Sequence, residues 1–402
     1  MNKKKVVMVM PHMVGGGAER VAAQIMNKLN ERGYDTRFIL TSAKKNEVIR
    51  SDLNEKTQLI LLTEELKAET TGQKLAHLPE RAYSTIFGKL YEKQNKYVPA
   101  SVGRATIEWQ YHREIAWLRN YFQQNPDMTV IVFLQPSIPI VLLAAQGLSN
   151  RILISERGNA EKLMKKRYGY KFIEKYYIEA QSIIFQTKFA RDVFPKNVTE
   201  KGIIIKNPLK SGLPDAYHGE RKKYITTFCR LSPDKDLMTL MEAYALFHNE
   251  YPEFKLKIIG DANNYIEKKV KDELTQYVKT NRLEDNVIFL PFMKDVHKEI
   301  IKDSMYVNSS INEGLSNAML EAMAIGMPVV CTDCPIGGAK DTIISGENGF
   351  LVPVKDTNAL YKAMKRIIEN KDLMNRVSLN ASEIRKSLTL DRIVDQWEKE
   401  IL

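Results

Sequence analysis

Glu313-Gly-Leu-Ser-Asn-Ala-Met-Leu-Glu321 lies between two short apolar runs, 306–311 and 325–331, and its reading decides the fold. The run before it, Tyr-Val-Asn-Ser-Ser-Ile, predicts a buried strand, and Met327-Pro-Val-Val-Cys331 predicts the next. Between them Gly314 supplies a turn, and Ser316 or Asn317 can cap a helix whose first turn carries unpaired backbone N–H groups. Such a helix start attracts anions. With Glu313 just ahead of the cap and Glu321 on the helix, a rise of about 1.5 Å per residue separates them by roughly 12 Å along the axis. That spacing suits a diphosphate with a hydroxyl-rich ring at each end, as in a nucleotide sugar. Two such glutamates also arise by chance in a charged helix. The setting points to a site instead: strand, glycine turn, small polar residues, helix, then Gly326-Met-Pro into another strand. Carboxylates beside a phosphate site would repel it unless they engage something else, and sugar hydroxyls are the natural partner.

Working outward, the second half shows apolar strand runs at 224–228, 256–259, 287–290, 305–309, 328–331 and 350–352, alternating with helical patterns. The first half shows them at 5–10, 36–40, 59–62, 130–134, 152–155, 183–186 and 203–205. Strands alternating with helices predict parallel, doubly wound sheets. The expected architecture is α/β, two Rossmann-like domains facing across a cleft. Residues 1–206 form the first, 207–389 the second after a linker from Asn207-Pro208 to Pro214, and a last helix at about 390–402 packs back on the first. The first loop, Pro11–Gly17, imitates a dinucleotide fingerprint, with Gly15-x-Gly17 followed by Asp35. Arg20 stands at the third glycine position, which argues against a nicotinamide cofactor. Its three glycines instead let backbone approach a bulky ligand lying between domains.

The 402 residues suffice for two full cores, and the formal charge of +11 describes partners rather than fold. Phosphates or an anionic membrane surface fit it. Nucleic acid fits least, since no zinc finger, RNA-binding signature or arginine-rich arm is present. The three cysteines, Cys229, Cys331 and Cys334, suggest reduced thiols and a cytoplasmic location. Cys331-x-x-Cys334 has neither a second pair nor nearby histidines, so neither zinc nor redox chemistry is expected of it. The apolar start resembles a signal peptide but breaks at Pro11-His12 and reads as a strand. The apolar stretch 129–147 is interrupted by Gln135, Pro136, Ser137 and Pro139, so membrane contact is expected to be peripheral. Two basic, aromatic stretches suit that role. One is 81–121, with Arg81, Tyr83, Phe87, Lys89, Tyr91, Lys93, Lys96, Tyr97, Trp109, Tyr111, Trp117 and Tyr121; the other is 162–171. The plainer alternative is a helical excursion packed on the sheet.

At the first strand end of the second half, Phe228-Cys-Arg-Leu-Ser-Pro-Asp-Lys-Asp236 offers Arg230 as a bidentate fork and Lys235 as a point charge for a diphosphate. Fixed cations with a helix start can carry the charge developing on a departing nucleotide, work that a divalent metal does elsewhere. Asp234-x-Asp236 imitates a metal-binding pair, but its place at a helix start reads as capping.

Arg-Leu-Ser-Pro-x-Lys followed by Glu-Gly-x-Ser-Asn-x-x-x-Glu-Ala-Met-Ala-x-Gly-x-Pro-Val-Val resembles the retaining glycosyltransferases of family 4, which have the GT-B fold. The likeness extends from the N-terminal glycine loop to Glu347-Asn-Gly-Phe-Leu-Val-Pro353. Ile154-Ser-Glu-Arg-Gly158 and Cys334-Pro-Ile-Gly-Gly-Ala339 resemble the branch that builds bacterial capsule, exopolysaccharide, O-antigen or lipid-linked glycan chains. The resemblance implies that Arg230 and Lys235 hold the donor diphosphate, Glu313 the donor sugar and Glu321 the ribose. It implies that backbone amides of Gly314, Leu315, Ser316 and Asn317 touch the phosphates and that Gly16 and Gly17 border donor and acceptor. The base would lie against 291–294, including Phe292, where many relatives have glycine before the aromatic residue. Many relatives also carry a histidine near the anomeric carbon; here the matching stretch is Phe133-Leu-Gln-Pro-Ser137. The acceptor-side candidates are therefore His12, Gln135, Ser137, Glu156 and Arg157. The implied reaction moves a hexose or N-acetylhexosamine, with retention, from a UDP-type sugar to a glycan or polyprenyl-diphosphate-linked glycan at the inner membrane face. It needs neither metal nor cofactor. The competing readings are an epimerase or hydrolase on the same architecture and a non-catalytic partner in a polysaccharide assembly complex.

Overall fold

The computed structural model describes residues 4–43, 52–66, 78–93, 98–158, 169–335 and 337–402. They form two units, Met1–Lys206 with Leu390–Leu402, and Asn207–Thr389.

In the first unit apolar runs become strands, the central ones buried on both faces and the edge strands only in part, the pattern of parallel sheets covered by helices. They are β1 (Lys5–Met10), β2 (Asp35–Leu40), β3 (Gln58–Leu61), β4 (Thr129–Phe133), β5 (Arg151–Glu156), β6 (Ser182–Phe185) and β7 (Gly202–Ile204). All pairings are parallel and the order is β3-β2-β1-β4-β5-β6-β7. The strand order reverses between β1 and β4, so the loops after those strands diverge there and leave a crevice. The Gly17–Glu31 helix buries Val21, Ala22, Ile25, Met26 and Leu29 at helical spacing. Gly33 takes the left-handed conformation that ends it, with φ +94°.

The C-terminal helix, Leu390–Ile401, belongs to this unit. Ile393, Val394, Trp397 and Ile401 form its buried stripe, and Trp397 stacks on Phe133 at 5.8 Å. Arg32 anchors its outer face through Asp391 at 3.1 Å, Asp395 at 2.7 Å and Glu398. Burial of the stripe contributes most here, because each exposed ion pair adds about 1 kcal/mol or less.

The long helical excursion resolves into Leu62–Glu65, Leu78–Lys93 and Ala100–Gln124, the last bent at Tyr111 (φ −132°, ψ 23°). Tyr111, Trp117 and Tyr121 lie against the core, Trp117 stacking on Tyr121 at 5.2 Å. This corrects the reading of these rings as a membrane-facing surface. Tyr83, Ile86, Phe87 and Leu90 on the Leu78–Lys93 helix are exposed. Lys96, Tyr97, residues 162–168 and the side chains of Arg81, Tyr91 and Lys93 lie outside the described residues.

The second unit repeats the plan with β8 (Lys222–Phe228), β9 (Lys255–Ile259), β10 (Val287–Leu290), β11 (Asp303–Asn308), β12 (Val329–Thr332) and β13 (Phe350–Val352). Their order is β10-β9-β8-β11-β12-β13, again parallel, and the reversal falls between β8 and β11. At the N-terminal end of this sheet Asp303, wholly buried, accepts from Lys257 Nζ at 3.1 Å and from Thr226 Oγ1 at 2.6 Å. Burial pushes the Asp303 carboxyl above its ordinary pKa, although Thr226 and Lys257 work against the shift.

Removing one member of a buried ion pair leaves the other charge without its partner, a loss of about 3–5 kcal/mol. Lys257→Met is expected to lower the unfolding free energy read from urea titration by that order, with a lower midpoint, and Lys257→Met with Asp303→Asn to recover part of it. An unchanged midpoint in the single variant contradicts the assignment.

Candidate functional site

In the second unit the candidate residues gather where the strand order reverses. β8 and β11 are neighbours, and the loops leaving their C-terminal ends are tied together. The Ile311 N–H donates to the Asp234 carbonyl at 2.9 Å, and Ser309 Oγ donates to the Lys235 carbonyl at 2.9 Å. Pro233–Lys235 forms one tight turn, which points Lys235 at the second loop, where it ion-pairs with Glu313. Ser310 Oγ donates to the same carboxylate at 3.3 Å. Burial works to lower the pKa of Lys235, and the charge and hydrogen bond of Glu313 more than reverse it, so the ammonium lies above the ordinary lysine value. An ammonium has three N–H donors, and its bond to Glu313 uses one. Arg230 is exposed at the end of β8.

Ser316 is the cap of the Asn317–Ala324 helix, its oxygen accepting from the Met319 N–H at 3.3 Å. Asn207 Nδ2 donates to Asn317 Oδ1 at 2.7 Å and to the Leu315 carbonyl at 3.3 Å, which fixes the turn ahead of the helix. Leu315 is buried, and Gly314 lies against Gly338, where an added Cβ would sit 1.7 Å from the Gly314 carbonyl oxygen. Only glycine lets the loop after β12 approach so closely. Phe292, after β10, is 69% exposed, and its N–H donates to Asp261 Oδ1 at 3.0 Å.

Glu313 lies in the loop ahead of the cap, as the sequence reading placed it, but that loop turns toward Lys235, so the axial estimate of its distance from Glu321 does not apply. Glu321 is on the helix but only 3% exposed, and its Oε2 lies 2.8 Å from His297 Nε2. Asp236 stands at the start of the Leu237–Glu250 helix with φ 44°, but its carboxylate accepts from the Thr239 hydroxyl at 2.7 Å rather than from a backbone N–H. Among the described residues no cluster of three or more His, Cys, Asp or Glu is placed to hold a metal ion.

In the first unit the acceptor-side candidates fall at the loops after β1, β4 and β5. His12 Nδ1 lies 3.0 Å from Glu19 Oε1. Glu19, in the first turn of its helix, folds back over Gly16, where a Cβ would meet its carboxylate oxygen at 2.2 Å. Gln135 donates to Tyr177 Oη at 2.8 Å and to Glu156 Oε1 at 3.1 Å, and Tyr177 donates to the same Glu156 oxygen at 2.6 Å. Arg157 lies over the Phe133 ring at 4.6 Å and donates to Ser155 Oγ at 2.8 Å. Burial lowers its pKa to about 9, so it is still a cation at neutral pH. Ser137 is fully buried, its hydroxyl 3.0 Å from that of Thr41, and does not reach the loop surface. Sequence reasoning missed Tyr177, Asn207, Ser310 and His297. Tyr177, Asn207 and His297 act through partners distant in sequence, which no local pattern marks, while Ser310 reaches Glu313 only because the intervening loop folds back.

Two doubly wound parallel sheets in one chain constitute the GT-B architecture. Solved structures share it over nearly the whole chain. HepE of Anabaena, in complex with UDP, superposes with a TM-score of 0.73 at 16% identity, covering 98% of both chains. The pneumococcal O-GlcNAc transferase GtfA, in complex with UDP and GlcNAc, does so with 0.73 at 14% identity, covering 100% of this chain and 99% of its own. Residues 215–384 match the family described as glycosyl transferases group 1. An uncharacterized glycosyltransferase of Haemophilus influenzae is 22% identical over 95% of each chain. The N-acetylgalactosamine-N,N'-diacetylbacillosaminyl-diphospho-undecaprenol 4-alpha-N-acetylgalactosaminyltransferase of Campylobacter jejuni is 30% identical over 41% of this chain and 42% of its own. Over residues 215–384 the second unit thus resembles the group 1 glycosyltransferases, in a chain with the GT-B fold.

The two thiols behind this site are inert. Burial raises Cys331 strongly and pushes Cys334 up to about 11, while Cys334 Sγ donates to the Ser310 carbonyl at 3.0 Å. Both are therefore protonated near neutrality, and a thiolate-selective disulfide reagent at about pH 8 is expected to modify neither until denaturant is added. Prompt labelling of Cys331 or Cys334 in folded protein contradicts this burial.

Proposed function

We propose that the protein is a retaining, metal-independent glycosyltransferase that transfers a hexose or N-acetylhexosamine from a UDP-sugar to a hydroxyl of a glycan or lipid-linked glycan. The observation that carries this reading is the Lys235–Glu313 pair at the β8/β11 reversal, beside the capped start of the Asn317–Ala324 helix. A diphosphate there meets the remaining N–H groups of Lys235, the Arg230 guanidinium and the helix N-terminus, while Glu313 accepts hydroxyls of the sugar and Glu321 those of the ribose. UDP is present in the HepE and GtfA structures, which supports the choice of nucleotide.

In the transfer, the bond between the anomeric carbon and the β-phosphate oxygen breaks as one to the acceptor oxygen forms on the same face. The acceptor proton passes to the departing phosphate. Negative charge grows on that phosphate, and Arg230 and Lys235 stabilise it most when it is largest, so they lower the barrier rather than only bind the donor. In the first unit, His12, Gln135, Glu156 and Arg157 are the groups available to orient an acceptor.

A lipid-linked acceptor, named for the Campylobacter relative, requires access to a membrane surface. No helix among the described residues is long and apolar enough to cross a membrane. The Leu78–Lys93 helix instead exposes Tyr83, Ile86, Phe87 and Leu90 at helical spacing with Lys89 nearby, an amphipathic face suited to lying at the inner membrane surface.

Arg230→Ala and Lys235→Ala are each expected to lower turnover with the productive UDP-sugar by about 10²-fold or more, with circular dichroism unchanged and chelator without effect. Near-wild-type turnover in either variant overturns the reading, and an absolute metal requirement overturns its metal-independent form. For the surface, Ile86→Glu with Phe87→Glu is expected to reduce flotation with anionic vesicles. Equal, salt-insensitive recovery of both proteins removes the membrane proposal.

A further inference from the structure

His297 and Glu321 come together across 24 residues of sequence, on the Val296–Ile300 and Asn317–Ala324 helices. Each is about 3% exposed. The imidazole Nε2–H donates to Glu321 Oε2 at 2.8 Å, and the ring meets Phe228 edge-on, 5.6 Å between centroids at 85°. Phe228 is itself held against Tyr306 at 5.0 Å. The histidine therefore has a packed ring plane and a directed N–H, on a segment that otherwise carries apolar residues inward, Val296 and Ile300.

We infer that His297 is a positioning residue that fixes the Glu321 carboxylate in the orientation needed to accept nucleotide ribose hydroxyls. This rests on the reading above, in which Glu321 takes the ribose. A carboxylate has two oxygens and about four acceptor sites. Holding Oε2 from behind stops rotation about the terminal bond and sets where the other oxygen points. Orientation matters more than charge at this position, because so little of Glu321 is accessible that a wrongly turned carboxylate cannot correct itself against the ligand. A bond made before the ligand arrives also spares the ordering cost at binding. An apolar side chain at 297 would fill the same space but leave Oε2 without this donor.

The inference separates hydroxyl recognition from diphosphate binding, and the test does the same. Dissociation constants for UDP and 2′-deoxy-UDP are measured by calorimetry with the full chain as wild type, His297→Leu, His297→Gln and Glu321→Gln. A site built to bind a hydroxyl rejects the ligand that lacks it, so wild type is expected to prefer UDP by about tenfold or more. His297→Leu should lose most of that preference while binding 2′-deoxy-UDP about as tightly as wild type does. His297→Gln, whose amide can donate the same bond, should regain part of it. In turnover, His297→Leu should raise the donor KM with little change in kcat.

If wild type binds both nucleotides equally, or neither, the ribose reading of Glu321 fails and the inference with it. If wild type discriminates and His297→Leu discriminates equally, the reading stands and His297 has no positioning role. Equal weakening of both nucleotides in His297→Leu shows a structural role only and likewise overturns the inference. Should His297→Leu not fold, the comparison of His297→Gln with Glu321→Gln decides: preference kept in the first and lost in the second supports positioning, and loss in both contradicts it.

Discussion

The second unit depends on the tie between the loops that leave β8 and β11. Adjacent parallel strands whose helices depart to opposite faces must open a gap at their C-terminal ends. Here that gap is spanned by two backbone-directed hydrogen bonds and by the Lys235–Glu313 ion pair. The pair does more than join loops. It sets a cation and a carboxylate side by side, and a phosphate ester of a sugar is a ligand that needs both. Buried ion pairs are weak evidence for stability, since desolvation offsets much of their attraction. The Lys235–Glu313 pair, partly buried at the strand-order reversal, is better understood as placement of charge than as structural reinforcement.

The first unit meets the same geometric requirement with different chemistry. Around its β1/β4 reversal stand Gly16 beneath the Glu19 carboxylate, and the Gln135–Tyr177–Glu156 network at the ends of β4 and β5. Glu19 at the helix start and Glu156 in the network are both buried, Glu156 held by Gln135 and Tyr177 and Glu19 lying 3.0 Å from His12 Nδ1. Donors and acceptors fixed this way suit hydroxyl-rich ligands, in contrast to the cationic end of the second unit. The Leu390–Ile401 helix supports this arrangement by packing Trp397 against Phe133, which in turn lies under Arg157.

The strands were legible because parallel strands buried on both faces need continuous apolar runs, and the thirteen runs read from the chain coincide with the thirteen strands among the described residues to within two residues at either end. Turn and cap chemistry was legible for the same local reason, with Gly33 ending one helix and Ser316 starting another. What failed was geometry that depends on the rest of the fold. Glu313 looked like a residue about two turns ahead of Glu321 on a common axis, but the loop folds toward Lys235 instead. The rings at Tyr111, Trp117 and Tyr121 carried a surface-like pattern of charge, yet their helix packs them, partly buried, against the core. His297 was invisible as a site residue because its partner is brought to it only by tertiary packing.

The central claim is that a diphosphate, rather than a base or a sugar alone, is the principal handle of the second unit. Thermal unfolding of wild type and Lys235→Met with UDP or uridine at the same concentration tests it most directly, since at equal concentration the ligand that binds the native state more tightly raises the midpoint further. The account requires UDP to raise the wild-type midpoint well above the effect of uridine, and that difference to collapse in Lys235→Met. Equal stabilisation by uridine, or an undiminished response to UDP in the variant, would contradict it.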